Sequence, residues 1–171
     1  MNASEVISTA LENNSGLVLR AMEDLSDDDL LARPSDNDNP AGWLFWHMTR
    51  AEDSIIAMVT GGSQVWKEGE WYSRMDADPE ANGFGAGQEE VAAFRASKAN
   101  LLEYAKAVRE RTLAQMKTIS NDDLDKELPF FNNEPTPVGT ILGIMLLDVV
   151  QHSGQICYLR GHIKGWGWIG M

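Results

Sequence analysis

Residues 136–161 read TPVGTILGIMLLDVVQHSGQICYLRG, and the spacing of apolar residues in this stretch predicts one long helix. Thr136 is placed to cap it, Pro137 to begin it, and Gly161 marks the region where it should fray. Within the helix, Ile144, Asp148, His152, Gln155 and Leu159 recur at steps of three or four and share one stripe. Asp148 and His152 are therefore one turn apart on the same face, inside an otherwise oily segment. Burying an ionisable pair is costly unless something compensates it, and a divalent cation does so efficiently. Two readings need no metal: a solvent-facing pair, and a buried Asp148–His152 ion pair.

Working outward, residues from about Ser4 to Leu25 carry Val6, Ile7, Leu11, Val18 and Leu25 at helical spacing, with Asn2 or Ser4 as cap. Ser26 to Leu30 reads as a second N-cap and first turn, and Pro34 with SDNDNP as a loop. Asn39-Pro40 resembles a helix start, with Asn39 as the cap, for a helix over AGWLFWHMTRAEDSIIAMVT that stops at Gly61-Gly62. Ser63 to Gly87 reads as a long loop, and Gln88 to Ile119, which has no internal Gly or Pro, as the longest helix. Ser120 to Leu124 repeats the capping style of Ser26, and LPFFNNEPTP is extended or turn-like. Four long helical segments without a convincing strand ladder predict an all-α four-helix bundle, with a long loop after the second helix and a crossover connection.

The 171 residues suit a single domain over 1–171. With 26 acidic against 14 basic residues, the net charge of −12 repels phosphate backbones and anionic lipid, so neither nucleic acid nor membrane is an expected partner. The start MNASEVISTALENNSG lacks a signal's basic beginning, and no run approaches the ~20 apolar residues of a membrane span. A soluble cytoplasmic protein is expected, and a single cysteine, Cys157, excludes an intramolecular disulfide.

His47 lies among Trp43, Leu44, Phe45, Trp46 and Met48, an apolar setting in which a histidine is rarely freely solvated. Alone it would be a hydrogen-bonded core residue. With Asp148 and His152 it completes a two-histidine, one-carboxylate set that leaves coordination positions open on zinc or nickel, or on iron or manganese.

The segments NPAGWLFWHMTRAED around His47 and LLDVVQHSGQICYLRG around His152 resemble the DinB-like superfamily, which includes mycothiol-dependent maleylpyruvate isomerases and bacillithiol transferases. The order of helices agrees over nearly the whole chain. The resemblance implies a four-helix bundle, commonly dimeric, with a divalent metal held by His47, Asp148 and His152. The His-Ser-Gly-Gln run at 152–155 matches the family's H-x-G-Q. Asp148 is a departure, because many relatives have histidine there and the isomerases have glutamate, longer by one methylene.

Further residues carry a functional and a plainer reading. Arg50, one turn beyond His47, could bind a substrate carboxylate, and Glu52 and Asp53 could orient a histidine, but such charges on a helix are ordinarily solvated. Gln155 could aim its amide at a ligand on the metal, and Gly154 could admit a neighbouring helix. Cys157 lies about 140° around the helix from His152 and reads as core. Trp66, Trp71 and Tyr72 could roof the site or simply anchor the loop. His162 falls near a helix C-terminus. Trp166 and Trp168 in the tail would be buried by a homodimer.

Two functions follow as expectations. One is a metal-dependent enzyme acting on a small molecule, a thiol S-transferase, isomerase or hydrolase, in which the metal activates a low-molecular-weight thiol or water. The other is a non-catalytic metal-binding or stress-related interaction protein.

Overall fold

The computed structural model describes residues 2–165 and 167. Helix α1 spans Ala3–Asp24 and opens with a reciprocal cap: Asn2 Oδ1 accepts from the Glu5 N–H at 2.8 Å, and Glu5 accepts from the Asn2 N–H at 2.9 Å. Ser26 and Asp29 repeat the device at α2 (Asp27–Leu31). Helix α3 (Ala41–Thr60) stops at Gly61, whose φ of 68° is the left-handed C-cap that its sequence predicts. Its start differs from expectation. Pro40, in extended conformation, is the N-cap and no side chain caps the helix, so Asn39 does not serve.

The expected loop Ser63 to Gly87 contains two short helices, α4 (Val65–Glu68) and α5 (Trp71–Arg74). A distant side chain fixes the first of them. Asp53 of α3 accepts from the N–H groups of Val65 and Trp66, both at 2.8 Å, which satisfies donors that a four-residue helix leaves free.

The expected helix Gln88 to Ile119 is broken into α6 (Gln88–Ala93) and α7 (Lys98–Met116). Ser97 caps α7 through the Asn100 N–H, and the Lys98 N–H is taken by Asp27 at 2.7 Å. The Lys98 ammonium also donates to the carbonyls of Glu23 and Leu25 at 2.8 Å, closing the α1–α2 corner. These contacts fix a new helix start where local propensity favours continuation.

Helix α8 (Asn121–Leu124) is capped by Ser120 as expected. The next segment forms a short antiparallel hairpin, β1 (Glu127–Pro129) with β2 (Pro135–Pro137), although the sequence suggests no ladder. Helix α9 (Val138–Lys164) follows directly and passes through Gly161 to end at Gly165. Thr136 does not cap it; its hydroxyl donates to the Glu134 carbonyl at 3.0 Å.

The four long helices pack side to side, α3 against α7 and α9, and α1 against α7 and α9. Their apolar residues form two clusters. One gathers Met22, Leu25, Trp43 to Trp46, Trp66, Tyr104 and Ile156, and the other Leu11, Ile56, Met116, Leu142, Met145 and Val149. Along α9 the first cluster takes Ile156 and the second Val149, and Asp148, His152 and Ser153 lie at the level where the two meet. By length and composition α9 could cross a membrane, contrary to the sequence reading that no run is long enough. Its apolar face is occupied by α1 and α3, and its middle carries this polar group.

Candidate metal centre

The packing of α3 on α9 brings His47, Asp148 and His152 together, with one ligand atom from each lying within 4.8 Å of the others. His152 Nε2 is 3.4 Å from Asp148 Oδ1, and His47 Nε2 is 3.9 Å from the same oxygen. The imidazole rings meet edge to face with centroids 5.0 Å apart.

Each ring is held from behind. Nδ1 of His47 lies 2.6 Å from the Asn82 carbonyl, which can only accept, so the proton resides on Nδ1 and the lone pair on Nε2. Nδ1 of His152 is likewise 2.6 Å from Gln155 Oε1. In a neutral ring with its proton on Nδ1, the lone pair is on Nε2, the nitrogen that faces Asp148 in both histidines. Trp43 stacks on His47 at 5.0 Å and 11°, fixing the plane of its ring.

Ligands bound to one ion at about 2.1 Å in tetrahedral geometry sit roughly 3.4 Å apart. The His152–Asp148 spacing meets this value, and His47, 3.9 Å from Asp148 in a set that spans up to 4.8 Å, would draw in on binding. Asp148 Oδ2 is buried and has no hydrogen-bond partner, a state that costs free energy unless a cation or donor relieves it. On these observations the donor set fits a divalent metal. The site reaches solvent in part, with the Asp148 side chain 29% exposed.

Burial holds the His47 pKa below its ordinary value, against opposing contributions from the Asn82 carbonyl and Asp148. Asp148 holds that of His152 above it, with Gln155 acting in the same direction. Both shifts follow from the geometry: His47 is the more enclosed ring and His152 the closer to the carboxylate.

The structure places Gln155 beside the triad but sends the charged candidates elsewhere. Arg50, Glu52 and Asp53 are buried at 2–3% exposure, where the sequence suggests solvated charges. Arg50 Nε donates to the Ala81 carbonyl at 3.0 Å, and its guanidinium lies over Trp66 and 3.5 Å from Asp53. Its contact with Ala81 anchors the backbone whose next carbonyl, at Asn82, holds His47. Asp53 binds the start of α4 and the Tyr104 hydroxyl, and Glu52 pairs with Arg109 at 2.7 Å, so neither orients a histidine.

Trp71 packs on Tyr104 and Arg74, and Trp66 on Tyr104 and Tyr72; the ring that covers His47 is Trp43. A Cβ on Gly154 would meet nothing within 4 Å, so no described neighbour requires that glycine. Cys157 is half-buried against the first cluster, and burial pushes its thiol pKa up. His162 lies in the last turn of α9, while Trp166 and Trp168 are outside the described residues. The Asn82 carbonyl escapes sequence reading because a main-chain acceptor 35 positions away leaves no residue-type signal.

A match to the DinB superfamily extends over residues 10–156, taking in all three triad residues. The chain belongs to the DinB superfamily. Its all-α DinB-like architecture is shared with a conserved protein from Enterococcus faecalis whose crystal structure superposes with a TM-score of 0.86. That likeness covers 97% of this chain and 99% of the other at 22% identity, which establishes the fold alone. No curated protein matches the chain. DinB proteins are generally metal-binding, and the His47–Asp148–His152 group is where this DinB chain could hold an ion.

Proposed function

We propose that this chain is a divalent-metal-dependent enzyme in which His47, Asp148 and His152 hold zinc or nickel and a small thiol or water is the cosubstrate. The observation that carries this reading is the convergence of two Nε2 lone pairs, each fixed by a hydrogen bond at Nδ1, on a carboxylate whose other oxygen is buried without a partner. Two nitrogens and one oxygen suit zinc or nickel and leave a position for an exogenous ligand. When bound, the ion supplies Lewis-acid activation of a thiol or water for attack on an electrophile. The protein's own groups hold and orient: Asn82 and Gln155 fix the imidazoles, and Trp43 shields one side.

No side chain in the triad is a nucleophile, and the raised pKa of Cys157 keeps it a thiol. The attacking atom therefore comes from the cosubstrate, which favours a thiol-dependent transferase or isomerase, with hydrolysis as the simpler variant. A second copy of the chain is the proposed cover for the outer face of α9, where Leu147, Val150 and Tyr158 are exposed.

Elemental analysis of protein purified without a histidine tag tests the reading. Near-stoichiometric metal in the wild type, lost in His47→Ala and His152→Ala with little change in melting temperature, is the expected result. Equal background metal in all three proteins would sink it.

A further inference from the structure

The Asn82–Gly83 junction that holds His47 is also a chemically reactive linkage. Of the asparagines in the sequence, only Asn82 precedes a glycine. Gly83 has no Cβ to stand beside its own nitrogen, and in such a pair that nitrogen can close on the asparagine side chain.

The local structure favours that closure. Asn82 is exposed, so water reaches its side chain. Its Oδ1 accepts from the Phe84 N–H at 2.9 Å, which folds the side chain back along the Gly83 peptide. The same bond sets a donor on the oxygen where charge develops during attack at Cγ. No acceptor among the described residues takes the Gly83 N–H, the group that must lose its proton.

We propose that Asn82 is a site of spontaneous modification, deamidating through a succinimide to aspartate and isoaspartate, and that the isoaspartate form loosens the hold of His47 on a metal. The second half rests on the metal-site reading above. The Gly83 nitrogen bonds to Cγ of Asn82, the C–N bond of the side-chain amide breaks, and ammonia leaves with the proton of the Gly83 N–H. Water then opens the ring. Attack at Cγ restores the ordinary backbone and leaves aspartate at position 82. Attack at the main-chain carbonyl carbon leaves isoaspartate, with the chain running through Cβ and Cγ. No electrons are transferred, and water is the sole co-reactant.

The isoaspartate product bears directly on the triad. The oxygen 2.6 Å from His47 Nδ1 belongs to the Asn82 main-chain carbonyl, and in that product it becomes part of a free carboxylate off the main chain. The chain beside it grows by one methylene. Gly83 has no slack to absorb the extra atom, since a Cβ there would already lie 2.6 Å from His47 Nδ1 and 3.0 Å from both Trp43 and Trp46. The segment must lift from the imidazole, which loses the partner that keeps its proton on Nδ1.

The experiment incubates metal-free protein in mildly alkaline buffer. Labelling by an isoaspartate methyltransferase, with peptide mapping, should reveal a growing product in the peptide that spans Asn82 and Gly83, its mass changed by ammonia exchanged for water. Resolved by ion exchange, the isoaspartate fraction should bind zinc about 10-fold or more weakly than both unmodified protein and Asn82→Asp. The His47 Nδ1 resonance of the same metal-free fraction should move. Asn82→Ser, incubated alike, should show no label at this position and no drift from its own starting affinity. A synthetic peptide of residues 79–86 supplies the reference chemistry, and product in the peptide with none in the folded protein overturns the site. Product at position 82 with zinc affinity and the His47 resonance both unchanged overturns the link to His47. Fresh protein that binds no zinc overturns the metal reading alone, and the labelling and the His47 resonance still decide the modification.

Discussion

The carbonyl oxygen of Asn82 lies 2.6 Å from Nδ1 of His47, so a main-chain group of the stretch after α5 determines which nitrogen of a histidine on α3 is free. The contact needs Gly83 to pass the imidazole without a side chain. Its φ of +80° is also a conformation that other residues adopt only with strain. Gly83→Ala should destabilise the fold by about 1–3 kcal/mol and displace His47. Chemical denaturation would register the first effect, and metal titration by calorimetry the second. Unchanged metal affinity in a folded Gly83→Ala protein would contradict this role for the close approach.

Gln155 should act on the metal through His152. Its Oε1 accepts from the Nδ1–H, which fixes the ring and raises the basicity of Nε2. Gln155→Leu keeps a branched side chain one atom shorter and removes the acceptor, and should weaken metal binding about 10- to 100-fold with little loss of stability. Competition against a chromophoric chelator measures the change, and Gln155→Glu, which retains an acceptor, should restore part of the affinity.

The two histidines should impose opposite pH dependences on the stability of metal-free protein. His47 has a folded pKa below the ordinary value of 6.5, so its contribution is present above the unfolded pKa and is lost as pH falls through the folded one. His152 has a folded pKa above 6.5, so its contribution is present below the unfolded pKa and is lost as pH rises through the folded one. Between about pH 5.5 and 8, His47→Gln should make the slope of unfolding free energy against pH more negative, and His152→Gln more positive. Urea denaturation in the presence of a chelator reads both slopes, and changes of the same sign would refute the assignment.

Asp53 should be among the most destabilising positions to truncate. Its carboxylate accepts from two backbone N–H groups of α4 and from the Tyr104 hydroxyl, and pairs with Arg50, all in a buried setting. Asp53→Ala leaves a buried guanidinium and three donors short of a partner, and should cost about 3–5 kcal/mol. Because Arg50 anchors Ala81 beside Asn82, the variant should also lose metal affinity, a coupling that calorimetry on the folded fraction would detect.

Much of the fold is legible in local sequence because the devices that delimit its helices are local. Asn2, Ser26 and Ser120 cap with side chains that reach only three residues, and Gly61 ends α3 through its own backbone freedom. The one-turn spacing of Asp148 and His152 likewise needs nothing beyond helical geometry.

The misread elements are those decided by partners far along the chain. Lys98 breaks the apparent helix of residues 88–119 by binding the α1–α2 corner, with Ser97 capping the new start, and Asp53 builds α4 inside an apparent loop. Arg50 looks solvated in sequence because charge alone does not reveal a buried carbonyl, an aromatic face and a carboxylate waiting for it.

The candidate site divides in the same way. The sequence by itself put Asp148 and His152 one turn apart on a single helix and offered His47 on another as a third candidate, because periodicity and residue type are written in consecutive positions. Only the tertiary structure decided that His47 meets Asp148 and that Asn82 and Gln155 hold the two imidazoles at Nδ1. Those relationships depend on the packing of α3 against α9 and on the path of the stretch that carries Asn82, which are set by contacts between residues distant in the chain.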